Sequence, residues 1–297
     1  MTMTNKIIGE ANVVTAVSRS AYSGGNRIRV QSFGGGVQSV ALLHKWIDGV
    51  VGSRPDIVIF ADTQDEPTSV YNTVEHSKMV CEQAGIQFVT VTKGKLSDCA
   101  ETNSIHVPLY TSNSEPMEGK KAVRWDDDGN ELEWIETVIP VGGRKGVLFR
   151  TCTERFKIRV IRKYLRSLGV KSAEIWLGIS TDEASRMKDS NVKWITNRYP
   201  LIEMEMSRAD CEKYLQSIGV KASRSACVFC PYRSDWSAIR AVKEDWDRAV
   251  AYDERIRNVR PGFLSYISSQ RKPLVDVKDK VQEPNLFENE CEGHCGL

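Results

Sequence analysis

The feature that most constrains the fold is an alternation of strand and helix patterns over residues 27–92. The apolar runs "RIRVQSF", "DIVIFADT" and "IQFVTVT" are separated by two segments with apolar residues at helical spacing. Strands joined by crossover helices predict a parallel sheet, because parallel neighbours need a long connection. A fourth strand, "AEIWLGIS", follows. We therefore predict an α/β fold: an open, mostly parallel sheet with helices on both faces, which binds ligands beyond the strands' carboxyl ends.

The rest of the chain divides around this core. Residues 1–26 are weakly patterned and predict a poorly ordered lead-in, whereas residues 27–232 hold the α/β domain. The segment 93–150 interrupts the alternation with prolines, "DDDGN" and "GGRKG", which predicts an inserted lid with a hairpin at "DDDGNELEW". Residues 233–270 predict a mainly helical extension, and residues 271–297 a mobile tail that contains cysteines.

Composition narrows the class of protein. The 297 residues carry 41 Lys and Arg against 39 Asp and Glu, so net charge alone does not indicate a nucleic-acid partner. No apolar run is long enough to span a bilayer and the start does not resemble a secretory signal, so we expect a cytoplasmic protein without a membrane partner. Eight cysteines are too few for a disulfide scaffold of this length, and the close pairs "CVFC" and "CEGHC" indicate metal or redox chemistry.

Three consecutive glycines, Gly34, Gly35 and Gly36, lie between the first strand and the first helix. Glycines there let backbone amides face an anion, and the helix N-terminus adds its positive dipole end. Ser32 and Ser39 flank them with hydroxyl groups. Neither the Gly-Lys-Ser/Thr of a Walker loop nor a G-x-G-x-x-G fingerprint is present. The pattern predicts a phosphate cradle, and a tight turn forced by close packing is the alternative.

The segment "FGGGVQS" resembles the pyrophosphate loop of the adenine nucleotide alpha-hydrolase-like (PP-loop) superfamily, whose usual form is Ser-Gly-Gly-x-Asp-Ser. Gly34 replaces the first serine, Gln38 replaces the aspartate, and "GVQ" is closer to the phosphoadenosine phosphosulfate (PAPS) reductase branch. Further similar segments follow in the family's order: "IFADTQDEP", "RTCTERFKI", "LGISTDEASRM" and "YPLIEMEMSRADCEKYL". The resemblance implies a Rossmann-like fold and an adenine nucleotide, which is PAPS, its relative APS, or ATP with Mg²⁺.

The resemblance also assigns roles to side chains. Its nucleotide-binding positions are Ser32, Gly34, Gly35, Gly36, Val37, Gln38, Ser39, Asp62, Thr63, Gly178 and Glu183. Lys157 and Arg186 would act catalytically by neutralising the anion, with Glu183 orienting Arg186 from three residues away. Alternatives stay open, because Asp62 could instead cap the next helix and either cation could lie on a solvated face.

Cys227 and Cys230 have the two-residue spacing that lets two thiolates reach one metal. With Cys152 they resemble the cluster ligands of the iron–sulfur members of the family, which have Cys-Cys where this chain has "TCT". The resemblance implies a 4Fe–4S cluster with Cys291 or Cys295 as a possible fourth ligand, or with an open iron. Structural zinc and no metal are the alternatives.

The C-terminal "HCGL" resembles the terminal Glu-Cys-Gly-Leu-His of the reductases, whose cysteine attacks the sulfate sulfur. Cys295 is thus the candidate nucleophile, with His294 beside it able to favour the thiolate. Cys291 would resolve a disulfide or complete a metal site with Cys295. The alternative is a structural metal pair or an inert tail.

Three functions are compatible with these motifs. The first is a PAPS reductase-like oxidoreductase that releases sulfite and uses a thioredoxin or glutaredoxin-type thiol donor, and a homodimer is one expected assembly. The second is an ATP pyrophosphatase-type sulfurtransferase that modifies tRNA or DNA, favoured by the basic helix of residues 155–166 and by Arg124, Arg144 and Lys145. The third is a non-catalytic, zinc-stabilised nucleotide-binding subunit.

Overall fold

A computed structural model describes residues 27–102, 106–113, 122–125, 131–134, 146–233, 235–259 and 262–278. Its strands are β1 Ile28–Phe33, β2 Ile57–Asp62, β3 Gln87–Thr92, β4 Tyr110–Asn113, β5 Ala122–Trp125, β6 Glu131–Trp134, β7 Gly146–Val147, β8 Ala173–Leu177, β9 Ile195–Arg198 and β10 Phe263–Tyr266. Its α-helices are α1 Val37–Ile47, α2 Thr68–Gln83, α3 Arg159–Ser167, α4 Pro200–Glu203, α5 Arg208–Ser217, α6 Trp236–Arg240 and α7 Lys243–Arg255. The predicted lead-in 1–26, Arg144 and Lys145, and the tail positions Cys291, His294 and Cys295 lie outside the described residues.

The main sheet has five parallel strands in the order β3-β2-β1-β8-β9. This confirms the predicted open parallel sheet. The chain builds outward from β1 to β3 on one side, then returns to place β8 and β9 on the other side. The carboxyl ends of β1 and β8 therefore flank a topological switch point, the place where open α/β sheets bind ligands.

Helices cover both faces of this sheet, as predicted. Side chains of a strand alternate between faces, so Ile28 and Val30 of β1 join the apolar cluster under α3. Phe33 joins the opposite cluster, which is built with α1, α2 and α5. Ser207 and Asp210 form the capping box that the sequence indicates at the start of α5. The carboxyl edge of the sheet is thus held between two packed layers.

A second apolar core joins the insertion to the C-terminal region. Strand β10 pairs antiparallel with β4, which pairs with β7, so residues from both segments share one sheet. The region 233–270 therefore contains a strand besides its helices. Residues 271–278 also differ from the expected tail, because Leu274 is buried in this core and Arg271 donates to the Thr111 carbonyl. Residues 279–297 lie outside the described part of the chain.

Within the insertion, β5 and β6 pair antiparallel at the position predicted for a hairpin. Across the ranges that the structure describes, none of the helices has both the length and the apolar character needed to cross a membrane.

Candidate functional site

The glycine loop, defined here as residues 34–36, is buried at the carboxyl end of β1. The Ser39 hydroxyl accepts from the Gly34 amide at 3.3 Å and donates to the Gly36 carbonyl at 3.1 Å. Gly36 also forms a parallel backbone bridge with Ser223. Ser39 therefore stabilises the turn itself, and an anion reaching the Gly34 amide would have to replace the Ser39 contact.

Gly35 is a glycine for reasons of conformation and packing. Its φ is +77°, and a Cβ at this position would lie 2.9 Å from Cγ1 of Val70 on α2. Close packing, the alternative to a phosphate cradle, therefore accounts for this residue. The start of α1 still has anion-binding character, because no side chain caps it and its first turn has no acid. The cradle stays a prediction, supported by the helix end rather than by Gly35.

Gln38 and Val37, the first two residues of α1, make contacts within the protein. Gln38 is fully buried; its amide donates to the Ser180 hydroxyl at 3.3 Å and accepts from Arg208 at 3.4 Å. It therefore connects the start of α1 to the segment after β8. Val37 packs in the apolar cluster of α1, and Ser32 lines a small cavity against α3. The nucleotide-binding roles that the resemblance implied for Val37 and Gln38 stay predictions.

The segment after β8 carries the expected Glu183 and Arg186 contact. Gly178 is buried at the end of β8, and a 3₁₀ turn follows from Thr181 to Arg186. Arg186 donates to the Glu183 carboxylate, and both side chains are buried. The solvated-face alternative for Arg186 is therefore wrong, and Glu183 holds the guanidinium beside the switch point.

Asp62 ends β2 and anchors the chain that follows it. Its Oδ1 accepts from the Gln64 amide at 2.7 Å and from the Tyr71 hydroxyl at 3.0 Å. Burial, followed by the Asp62 charge, raises the pKa of Tyr71, so this hydroxyl stays protonated and donates. Asp62 does not cap α2, because Asp245 of α7 does so by accepting from the Thr68 amide at 3.0 Å.

A buried ion pair lies in the acidic loop, defined here as residues 63–67. Lys157 Nζ is 3.1 Å from Glu66 Oε1, and both side chains are buried. Thr63 Oγ1 lies 3.5 Å from the same carboxylate oxygen and 3.3 Å from Cys227 Sγ. Lys157 projects from a π-helical turn, Glu154–Ile158, a rare geometry that is frequent at functional sites. The solvated-face alternative for Lys157 is thus also wrong.

Glu66 is a site residue that the sequence analysis missed. The available signal was an acid directly before Pro67, where a buried strand meets a helix. Its neighbour Asp65 is buried as well and accepts from the Ser97 amide at 2.7 Å and hydroxyl at 3.1 Å. Burial raises the pKa of Asp65, against the hydrogen bonds from Ser97. Arg248 of α7 donates to the Glu66 carbonyl at 3.2 Å, so the C-terminal region holds the acidic loop in place.

Cys227 lies beside the acidic loop, where its Sγ is 3.3 Å from Thr63 Oγ1. Cys152 and Cys227 border the second apolar core, and the Cys230 amide donates to the Cys227 carbonyl at 2.9 Å in a turn. Desolvation, followed by the Glu66 charge, raises the pKa of Cys227 well above its usual range, so this thiol keeps its proton. Among the described residues, no three Cys, His, Asp or Glu side chains are grouped closely enough to hold a metal ion. The metal site expected of Cys152, Cys227 and Cys230 stays a prediction, since its proposed fourth ligand, Cys291, lies outside the described residues.

No protein-family model matches the chain, and no curated protein matches it. A solved structure that is similar to it is the U34-tRNA thiolase NcsA from Methanococcus maripaludis with its 4Fe–4S cluster. That protein is 14% identical, and the alignment covers 79% of this chain and 74% of the thiolase with a TM-score of 0.36. Similarity at this level does not carry a functional argument, so function has to be argued from the site itself.

Proposed function

We propose that this chain is an ATP-dependent enzyme that activates an acceptor for sulfur transfer, with a nucleic acid as the acceptor. ATP and Mg²⁺ would bind at the carboxyl edge of the sheet, between the glycine loop and the acidic loop. The observation that carries the proposal is the ion pair between Lys157 and Glu66. The cation expected to hold a sulfate is already neutralised by a buried carboxylate.

Charge balance on this edge favours a metal-bound nucleotide over a sulfonucleotide. Asp62, Asp65 and Glu66 contribute three carboxylates, and the nearby cations Lys157, Arg248 and Lys95 balance them. These cations are therefore already matched by carboxylates, and an additional sulfate or phosphate group would need a cation of its own. Mg²⁺ prefers oxygen ligands and usually binds through one or two carboxylates plus nucleotide phosphates. Asp62 is the half-exposed carboxylate of the three, so it is the candidate Mg²⁺ ligand.

The reaction needs little covalent chemistry from the protein. A carbonyl oxygen of the acceptor base would attack the α-phosphorus of ATP, which forms an O–P bond and releases pyrophosphate. Hydrosulfide would then add to the activated carbon, and AMP would leave with the former carbonyl oxygen, so that a thiocarbonyl remains. A persulfide donor would additionally require a thiol that breaks the S–S bond of the adduct and is itself oxidised to a disulfide with the donor. Arg186, held by Glu183, would stabilise the charge that develops on the phosphates.

Sulfonucleotide reduction is the rival function. It uses the same loop and the same sheet edge, and its nucleophile would be Cys295, which lies outside the described residues. An iron–sulfur cluster stays a prediction of the cysteine pattern for both functions. Anaerobic purification followed by an absorption spectrum and metal analysis would test it, and a colourless zinc protein without turnover would favour the non-catalytic subunit.

The deciding experiment supplies each substrate separately to anaerobically purified protein. Pyrophosphate and AMP release from ATP and Mg²⁺, dependent on a sulfur donor and on transfer RNA, would support the proposal. Sulfite release from PAPS with thioredoxin or glutaredoxin, without ATP cleavage, would contradict it and establish the rival. We expect Arg186→Gln to lower pyrophosphate release by about a hundredfold, the scale of one lost transition-state donor. Lys171→Gln, at an exposed lysine, is the matched control and should leave the rate unchanged.

A further inference from the structure

The π-helical turn and α3 display a concentration of positive charge on one exposed face. Residues 154–167 contain six basic residues and one acid, Glu154, in a chain whose overall charge is only +2. Lys157 turns inward to the acidic loop, whereas four of the others are exposed at spacings of four, four and three residues. We name these four the basic stripe: Arg155, Arg159, Lys163 and Arg166.

Within residues 154–167, Glu154 is the one acid in sequence beside these cations. The Arg159 side chain is 65% exposed and contacts Glu154 at 3.0 Å. Its neighbour Arg162 donates to the Asn191 amide oxygen, a neutral partner, and Arg166 lies over the Trp194 ring at 4.2 Å. Burial lowers the pKa of Arg162; the Glu154 charge opposes this, and the Arg159 charge adds to it. Such a cluster favours binding of an anion that offers several charges in a row.

The dimensions fit the backbone of a nucleic acid. Eleven residues separate Arg155 from Arg166, about 16 Å at the helical rise, a length over which one nucleic-acid strand presents several consecutive phosphates. Residues four apart lie on one helix face, so the cations form a line along the helix axis. The line begins beside the site, because Arg155 and Lys157 belong to the same π-helical turn.

An exposed aromatic side chain precedes the stripe in the sequence, on the N-terminal side of Arg155. Phe149, in the segment that leads into the helix, is 89% exposed. Exposed aromatic side chains stack on unpaired bases, and the single-stranded loops of RNA offer such bases. Chemistry on a base also requires that base to be outside a stack. These two conditions favour an RNA loop over duplex DNA.

We propose that the basic stripe and Phe149 form the docking surface for an RNA, with the phosphate backbone along the stripe and an unpaired base on Phe149. This inference rests on the proposed function for the identity of the acceptor, and its binding can be measured without catalysis. The stripe would place a base of the RNA loop next to the end of the sheet where ATP is activated.

The test measures binding of a fluorescent transfer RNA to the full chain by anisotropy, across a salt series and without ATP. Arg159→Gln/Lys163→Gln should weaken binding about twentyfold near 0.1 M salt and reduce the slope of log affinity against log salt by about 1.4, the value for two single-strand phosphate contacts. The control Lys213→Gln/Lys243→Gln removes the same charge from exposed positions on α5 and α7 and should leave affinity within about twofold. Phe149→Ala should lower affinity about fivefold or more without changing the slope, since stacking does not release counterions.

The outcomes separate this surface from the proposed function. Equal losses of RNA affinity in the stripe and control variants would overturn the proposal of a docking surface. The absence of transfer RNA binding by the wild-type chain would overturn it as well. Duplex DNA of equal length that binds as tightly as RNA would overturn the choice of RNA. Binding that depends on the stripe, in a protein that never cleaves ATP, would leave the surface intact and reject the proposed function. Circular dichroism of every variant establishes that it is folded.

Discussion

The glycine loop and the acidic loop follow neighbouring strands, yet they are held in different ways. The glycine loop is closed mainly by its own neighbours, since Ser39 contacts both Gly34 and Gly36. The acidic loop is held from far along the chain, because Lys157 binds Glu66 across 91 residues and Asp245 caps α2 across 177 residues. The closing contacts of the glycine loop are therefore mainly local, apart from the backbone bridge between Gly36 and Ser223, whereas those of the acidic loop come from Ser97 of the insertion, Lys157 and α7. This difference predicts which substitutions each loop tolerates.

The largest expected effect is at the ion pair of the acidic loop. Lys157→Met leaves the Glu66 carboxylate buried without its cation, and breaking a buried pair costs about 3–5 kcal/mol of unfolding free energy. The double variant Glu66→Gln/Lys157→Met removes both charges and should recover most of that loss. Denaturant unfolding of the two single variants and the double variant measures the coupling. Purely additive losses would show that the pair does not stabilise the loop.

The stability of the glycine loop should depend on the volume of the side chain at Gly35 rather than on charge. Gly35→Ala combines a positive φ with a Cβ 2.9 Å from Val70 Cγ1, and should cost about 2–4 kcal/mol. Gly49→Ala is the matched control, because Gly49 has φ of +75° and no atom within 4 Å of the added Cβ. It should cost about 1 kcal/mol, the strain term alone. Thermal and denaturant unfolding would compare the two, and equal losses would contradict the packing role of Gly35.

The link between α7 and the acidic loop should show a smaller effect. Asp245→Ala removes the carboxylate that accepts from the Thr68 amide and hydroxyl, and should cost about 2 kcal/mol. Asp247→Ala on the same helix removes an exposed partner of Lys243 and should cost less than about 0.5 kcal/mol. Hydrogen exchange at the start of α2 should accelerate in the first variant alone. Unchanged exchange there would show that Asp245 of α7 does not stabilise the start of α2.

The smallest effect is a pH dependence of the free energy of unfolding that comes from two histidines. Burial lowers the pKa of His44 on α1 and of His106 beside the second apolar core. The unfolded chain, with histidine pKa near its ordinary value of about 6.5, then binds protons before the folded chain does. Stability from these residues is therefore present above pH of about 6.5 and decreases as pH falls below it. Replacing either histidine with Gln should reduce the decrease in unfolding free energy that we expect for the wild type between about pH 6.5 and 5. A variant with an unchanged pH dependence would contradict this prediction.

The four main-sheet strands predicted from the sequence are confirmed, and so is the hairpin of β5 and β6. Their patterns are local: apolar runs, turn residues and the helix spacing that separates them. Strand β9, "ITNR", was missed because four residues with one apolar side chain give no period to detect. The metal site was expected from the spacing of Cys227 and Cys230 and from the resemblance that adds Cys152, and it stays a prediction.

The parallel sheet, the place of the glycine loop and the capped start of α5 follow from the amino-acid sequence alone, since each depends on residues within about one helical turn or one strand of each other. Only the folded chain shows which carboxylate meets Lys157, which residue caps α2 and that Gln38 contacts Ser180 and Arg208. Those contacts join residues up to 177 positions apart. Their partners are selected by the register of five strands and by the shared core of two distant segments, and no local pattern encodes that choice.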